Sequence, residues 1–219
     1  MNTYHEKTGE LIESPDLEAG YTYPSQRYIG TERVTLERTV EIYPPNGLQH
    51  EVPVYEDCLY YHPYTEEDKQ EALHEKLAEL SAACEAAINS GTKVRFSDGS
   101  ERLVTYDIKD QTNIKELFDA VRMGATAYLF HTPSGDCMMY SAADIIAMYS
   151  TLAGYKTAQL TYHNKLKQYV ESLGTVPAIQ AVQYGDPLTG EWLEGYNTLI
   201  AEAEVVLQAI LQGVMQNDG

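Results

Sequence analysis

A chain of 219 residues, 43% hydrophobic and 22% charged, is long and apolar enough to bury a real core, which excludes a disordered or collagen-like polymer. Its 33 acids against 15 bases give a net charge of −18, which argues against nucleic acid and anionic lipid as partners, since both need clustered cations. No apolar run reaches the roughly 18 residues of a transmembrane helix, and Met1-Asn2-Thr3-Tyr4-His5-Glu6-Lys7 has no apolar signal segment.

The charge is unevenly placed. Residues 1–79 carry 17 acids and 6 bases, residues 80–167 carry 9 of each, and residues 168–219 carry 7 acids and no Lys or Arg. Nine of the 18 tyrosines lie in residues 1–64. This divides the chain into an extended, tyrosine-rich acidic arm (1–64), a compact α+β middle (65–173) and an acidic tail ending in an amphipathic helix (174–219).

In the arm, Gly20-Tyr21-Thr22-Tyr23-Pro24 reads as an aromatic, turn-rich loop. Val34–Tyr43 partly alternates and is rich in β-branched residues, so it is the best strand of the arm. Pro44-Pro45-Asn46-Gly47 stops it with turn chemistry. Glu51–Tyr55 returns as an edge strand, where Pro53 loses no ladder bond. Tyr60-Tyr61-His62-Pro63-Tyr64 leads into a helix. Tyrosine offers large contact area at low entropy cost while keeping a polar tip. Tyr21, Tyr23, Tyr28, Tyr43, Tyr60, Tyr61 and Tyr64 are therefore candidates for a partner interface. The alternative is that these rings pack the arm onto its own body.

In the middle, Thr65-Glu66-Glu67-Asp68 is a capping box that opens a helix to about Asn89, with Leu73, Leu77, Leu80, Cys84 and Ile88 on one stripe and Gly91 past its end. Lys93–Phe96 and Arg102–Tyr106 flank Ser97-Asp98-Gly99-Ser100, a hairpin signal. Asp110-Gln111-Thr112-Asn113 opens a second helix through about Met123, ended by Gly124. Ala127–His131 and Cys137–Tyr140 flank Pro133-Ser134-Gly135-Asp136 as a second hairpin. Ser141-Ala142-Ala143-Asp144 then caps a long helix to about Leu173. The fold class that results is α+β: small antiparallel hairpins with several helices, one long helix in the C-terminal half, and the extended arm in front.

That long helix carries Ile145, Met148, Leu152, Tyr155, Gln159, Tyr162, Leu166, Tyr169 and Leu173 at alternating steps of three and four, the coiled-coil spacing. Gln159 is its one polar member. The stripe faces either a neighbouring helix of the same chain or copies of itself in a homo-oligomer. Leu199, Ala203, Val206 and Ile210 of the tail give a second stripe that could cover it. Tyr155, Tyr162 and Tyr169 join the interface candidates.

No catalytic, cofactor or metal residue is expected. The six histidines show no one-turn pairing and no His-Glu-x-x-His motif. His131, Ser134 and Asp136 fall in a tight hairpin, where Ser and Asp are ordinary turn formers. Asp98 and Asp186 lack the alternating acids of a calcium loop. Phosphate-binding loops, dinucleotide fingerprints and nucleophile elbows are missing. Cys58, Cys84 and Cys137 read as reduced thiols rather than a disulfide framework.

The run Cys84–Gly91, Val94-Arg95-Phe96-Ser97-Asp98-Gly99, then Tyr106-Asp107-Ile108-Lys109-Asp110-Gln111-Thr112-Asn113-Ile114 resembles a family of unknown-function domains encoded by tailed bacteriophages and prophages, met mainly in phages of Gram-positive hosts. Gly124, Tyr128, Asp136 and the Ser141–Asp144 cap are also similar, over roughly residues 80–172. Pro63-Tyr64-Thr65-Glu66-Glu67 resembles the join that often precedes this domain. The resemblance implies a non-enzymatic structural or adaptor protein of the virion tail, made in the host cytoplasm, with fibre or baseplate proteins as partners. An assembly chaperone that escorts the tail fibre and stays out of the virion is the alternative. A cell-wall glycosidase is a distant third, because the acids show no pairing.

Overall fold

The computed structural model describes residues 1–35, 49–131 and 137–215. Residues 36–43 of the expected arm strand, the Pro44–Gly47 turn, Tyr43 and the Pro133–Asp136 turn lie outside the described residues. The chain forms two compact units: residues 1–71 with 175–177, and residues 72–174 with 178–219. Five helices and small, mostly antiparallel sheets make it α+β, and a tyrosine-rich β segment comes first in the chain.

The first unit is built on a four-stranded sheet. Strands β1 (Thr3–His5), β2 (Leu11–Ile12), β3 (Gly20–Thr35) and β4 (Gln49–Pro63) lie in the order β2-β1-β4-β3. β1 runs parallel to β4, and the other pairings are antiparallel. Two expectations are corrected here. Gly20–Pro24 is the start of β3, not a loop, and Tyr60–Pro63 is the end of β4, not a lead-in to a helix. Tyrosine and threonine favour a pleated surface, and Pro24 is tolerated because β3 is an edge strand. Pro53 lies opposite Thr31 in β4, beyond the Leu59–Tyr61 stretch that β1 covers, so it too sits at an open edge. Tyr4, Cys58 and Tyr61 form the small core.

Helix α1 (Glu66–Ser90) starts on the expected capping box. The Asp68 N–H donates to the Thr65 hydroxyl at 3.2 Å, and the Thr65 N–H donates to the Asp68 carboxylate at 2.7 Å. The Thr65 hydroxyl and N–H hold the Asp68 carboxyl below its ordinary range. The inward stripe differs from the expected one. Ala72, Lys76, Leu80, Cys84 and Ile88 are buried, while Leu73 and Leu77 flank the stripe half-buried. The Lys76 ammonium reaches Glu79 at 2.6 Å, so its methylene stem serves as apolar surface while its charge is paired.

The second unit gathers two hairpins and residues from four helices around one core. Hairpin β5 (Thr92–Arg95) and β6 (Glu101–Val104) turns through Asp98-Gly99, as expected. Helix α2 (Ile108–Arg122) is capped by Asp107, whose side chain accepts the N–H groups of Lys109 and Asp110. The expected start at Asp110 is thus three residues late, and Asp110 instead takes the Thr105 hydroxyl at 2.5 Å. Hairpin β7 (Ala127–His131) and β8 (Cys137–Ser141) leads into helix α3 (Ala142–Ser172) through the Ser141–Asp144 capping box. Val94, Val104, Ile114, Ile145, Met148 and Leu152 are fully buried where these elements meet.

The α3 stripe is satisfied within this unit, though not as expected. Its first third lies in the core. Farther on, the Tyr155 hydroxyl donates to the Ala87 carbonyl at 3.0 Å, and the Tyr162 hydroxyl donates to the Asp186 carbonyl at 2.8 Å. Leu166 and Tyr169 line a hollow with Val182, Leu188 and Trp192, just past the short helix α4 (Val176–Ala181). Helix α5 (Gly190–Met215) does pack on α3, but against the adjacent face that carries Tyr149, Ala153, Gly154, Thr157 and Ala158. Its inward residues are Ile200, Ala203, Leu207 and Leu211. Of its expected stripe only Ala203 turns inward; Leu199, Val206 and Ile210 stay exposed.

Gln159 is the polar hub of the stripe. Its side-chain oxygen accepts the Tyr184 hydroxyl at 2.6 Å, and its carbonyl accepts the Cys84 thiol at 3.7 Å. Burial, then the Cys84 neighbour, pushes the Tyr184 phenol well above its ordinary range, so it remains a neutral donor. Replacing Gln159 by Leu leaves that hydroxyl without its acceptor. The expected cost is about 1–3 kcal/mol. A thermal melt should show it as about 2–4 °C per kcal/mol for a chain of this size. A second substitution, Tyr184→Phe, should restore part of the loss.

Candidate functional site

The three cysteines are free, and Cys58 and Cys84 are buried. Among the described residues no group of His, Cys, Asp or Glu could hold a metal ion, and no helix is long and apolar enough to cross a membrane. Among the described residues, one open hollow is lined by Asp110, Glu116, Tyr128 and His131, and another by Tyr149, Ala153 and Leu207. The β3–β4 ribbon exposes Tyr21, Tyr28, Ile29, Val52 and Tyr55.

β3 and β4 pair along their whole lengths, 16 and 15 residues. Strands of this length are unusual, since most run about 5–6 residues. β1 covers only Leu59–Tyr61 of β4. From Ser25 to Thr35 and from Gln49 to Cys58 the ribbon has two strands and, among the described residues, two open edges. A lone two-stranded ribbon is marginally stable in water, because neither face is covered.

Tyrosines occur along the ribbon in two groups. At its base Tyr21 lies 6.2 Å from Tyr23, 5.2 Å from His62 and 5.7 Å from Tyr64, and Tyr23 lies 6.0 Å from Tyr60. Glu6 anchors this cluster by a 2.7 Å contact to His62 Nδ1, a bond that holds the Glu6 carboxyl below its ordinary range. Burial, then the Glu6 charge, pushes the Tyr23 phenol up. Farther out, Tyr28 and Tyr55 pair edge to face at 5.8 Å, at a β-bulge that inserts Ile29. Tyr28, Ile29 and Tyr55 are each more than half exposed, at 54%, 54% and 53%. The two rings form an exposed aromatic pair, with Ile29 next to Tyr28 in the bulge.

The expected interface tyrosines thus fall in different places. Tyr21, Tyr23, Tyr60 and Tyr64 gather at the ribbon base, and Tyr28 stands out along it. Tyr61 is 8% exposed, with its hydroxyl on the Asp16 carbonyl, so it packs the sheet. Tyr155, Tyr162 and Tyr169 are half-buried in the second unit, where the first two direct their hydroxyls to backbone carbonyls. Sequence reading misses Tyr55, the partner of Tyr28. A signal for it exists, because Tyr55 closes the edge strand read at Glu51–Tyr55 and falls on the opposite parity to Val52 and Val54.

No curated protein and no solved structure matches the chain. A family profile, the domain of unknown function DUF4376, matches residues 71–185, and the domain expected over roughly residues 80–172 falls inside that span. The match covers α1 from its second turn, both hairpins, α2, α3 and the hub at Tyr184. Since it takes in more than half of the chain, the protein belongs to the DUF4376 family.

Proposed function

We propose that the chain is a non-enzymatic structural or adaptor protein of a phage tail, in which the DUF4376 unit is the body and the β3–β4 ribbon grips a fibre or baseplate protein. The observation that supports the adaptor reading is the exposed Tyr28–Tyr55 pair, with Ile29 beside it, on a ribbon whose edges are open among the described residues. The assignment to a tail rests on the sequence resemblance around Val94–Gly99 and Tyr106–Ile114. Mass spectrometry of purified particles tests it: the chain is expected in virions in fixed ratio to a fibre or baseplate protein. A chain found in infected lysate but missing from particles removes the structural reading. The chaperone reading then stands if deleting the gene also leaves the fibre insoluble.

The ribbon makes a sharper prediction. Tyr28→Ala with Tyr55→Ala should leave the melting temperature nearly unchanged, since exposed residues contribute within about 0.5 kcal/mol each. The same pair should weaken capture of the tail partner by about 2 kcal/mol or more, as aromatic anchors do. Pull-down from particles disassembled in mild denaturant measures this. Unchanged capture by the double variant would place the interface elsewhere.

A further inference from the structure

A second exposed apolar surface lies on helix α5. α5 is apolar on the side that meets α3 and on the flank beside it, an apolar face wider than one neighbour covers. Here α3 covers one side. The flank beside it leaves Leu199, Val206 and Ile210 exposed by 44%, 60% and 42%. These three lie along one line of the helix, at steps of seven and four. Val206 and Ile210 border a groove of about 430 Å³ between α3 and α5, and Leu199 lies farther along the same line. Its α3 wall is made of small residues, Ala153, Gly154 and Ala158, which leave room for inserted side chains. One end reaches the Phe118–Tyr149 stack, whose rings lie parallel at 3.8 Å.

Charge identifies the occupant. α5 carries Glu191, Glu194, Glu202 and Glu204 and no Lys or Arg. Glu204 lines the groove itself. The nearest cations at the far end, Lys115 and Arg122, are both tied to Asp119, at 2.7 and 3.7 Å. Lys165 of α3 reaches α5 at Gly195, but a second copy of α5 would set glutamates against glutamates in an excess that this lysine does not neutralise. A basic amphipathic helix places its apolar stripe in the groove and its cations against the glutamates.

We infer that the exposed α5 face and the α3–α5 groove dock an amphipathic helix with Lys- or Arg-rich flanks from another protein. This stands whether or not the ribbon grips a tail protein.

The test uses the full chain and a dye-labelled synthetic helix of leucines flanked by lysines, read by fluorescence anisotropy. The same helix with glutamate flanks is the control. The lysine peptide is expected to bind, more weakly as salt is raised, and the glutamate peptide is not. Leu199→Asp with Val206→Asp should weaken binding by about tenfold or more, equivalent to about 1.4 kcal/mol. That variant is also more negative, so non-specific attraction to an acidic protein would strengthen instead. Asn197→Asp with Gln208→Asp, on the opposite side of α5, adds the same charge and should retain binding. If the first variant melts early, the uncharged Val206→Gln takes its place and should still weaken binding. Equal or tighter binding by the Leu199→Asp with Val206→Asp variant, or by Val206→Gln where that takes its place, overturns the inference. So does a wild-type dimer that becomes monomeric in the variant, since the face would then belong to a second copy.

Discussion

Gly91→Ala is expected to lower the melting temperature by about 5–15 °C, the response to a loss of about 2–5 kcal/mol. Gly91 ends α1 with φ +69°, and its N–H closes on the Ile88 carbonyl at 3.0 Å. An alanine there incurs the left-handed penalty of about 1–2 kcal/mol. Its Cβ would also collide with the Val104 carbonyl oxygen and the Thr105 backbone. Those atoms belong to the end of β6, which is held in place by the Tyr106 N–H donating to the Asn89 carbonyl at 3.2 Å. The collision can be relieved only by moving the hairpin off the helix, which opens the core at Val94 and Val104. Gly99→Ala is the control. Gly99 has φ +80° in the same hairpin, but a methyl group added to it would meet nothing within 4 Å, so only the left-handed penalty applies. Its shift should be less than half as large. Equal shifts for the two variants would mean that backbone conformation, not crowding, sets the role of Gly91.

What is legible in the sequence of this chain is local. Thr65 with Asp68, Ser141 with Asp144 and Asp98-Gly99 act through hydrogen bonds and dihedral preferences a few residues apart, so their spacing alone places helix starts and a turn. The start of α2 is misplaced by sequence because Asp107 and Asp110 both suit an N-cap, and only the Thr105 hydroxyl decides between them. Helix faces are harder. α1 has leucines at 73, 77 and 80, yet the inward line uses Ala72 and Lys76, because close approach to neighbours favours small or slender side chains. α5 is apolar on two sides, so periodicity does not say which side α3 takes. β3 is hidden by Gly20 and Pro24, whose usual meaning is a turn. That meaning lapses on an edge strand. At the candidate site, the tyrosines are visible as a cluster in sequence. Their division into ribbon and core is not, since it depends on register: Tyr28 meets Tyr55, and Tyr61 meets Thr22.

The second large effect belongs to Asp144. It is 9% exposed and does two jobs. It completes the capping box of α3, accepting the Ser141 hydroxyl at 2.7 Å and the Ser141 N–H at 3.2 Å. It also accepts the Ser97 N–H at 2.8 Å, which ties the β5–β6 turn to the start of α3. Burial alone would raise its carboxyl. The bonds from Ser97 and Ser141 outweigh burial and hold it below the ordinary range. Asp144→Ala removes all of these acceptors, at an expected cost of about 2–4 kcal/mol from the lost cap and the unpaired Ser97 N–H. Asp144→Asn keeps one acceptor oxygen and should lose about half as much. The pH dependence separates the charge from the shape. Because the folded carboxyl is lowered, its stabilisation is fully present above the unfolded value of about 3.9 and is lost as pH falls through the lower folded value. The melting gap between wild type and Asp144→Asn should therefore be widest above about pH 5 and should narrow as the solution is acidified below about pH 4. Other lowered carboxyls, such as Asp68 and Glu6, are common to both proteins and cancel in the difference, whereas Asp98, which feels the Asp144 charge, contributes to it. A gap that stays constant from neutral pH into acid would show that the cap at Asp144 works through its shape and not through its charge.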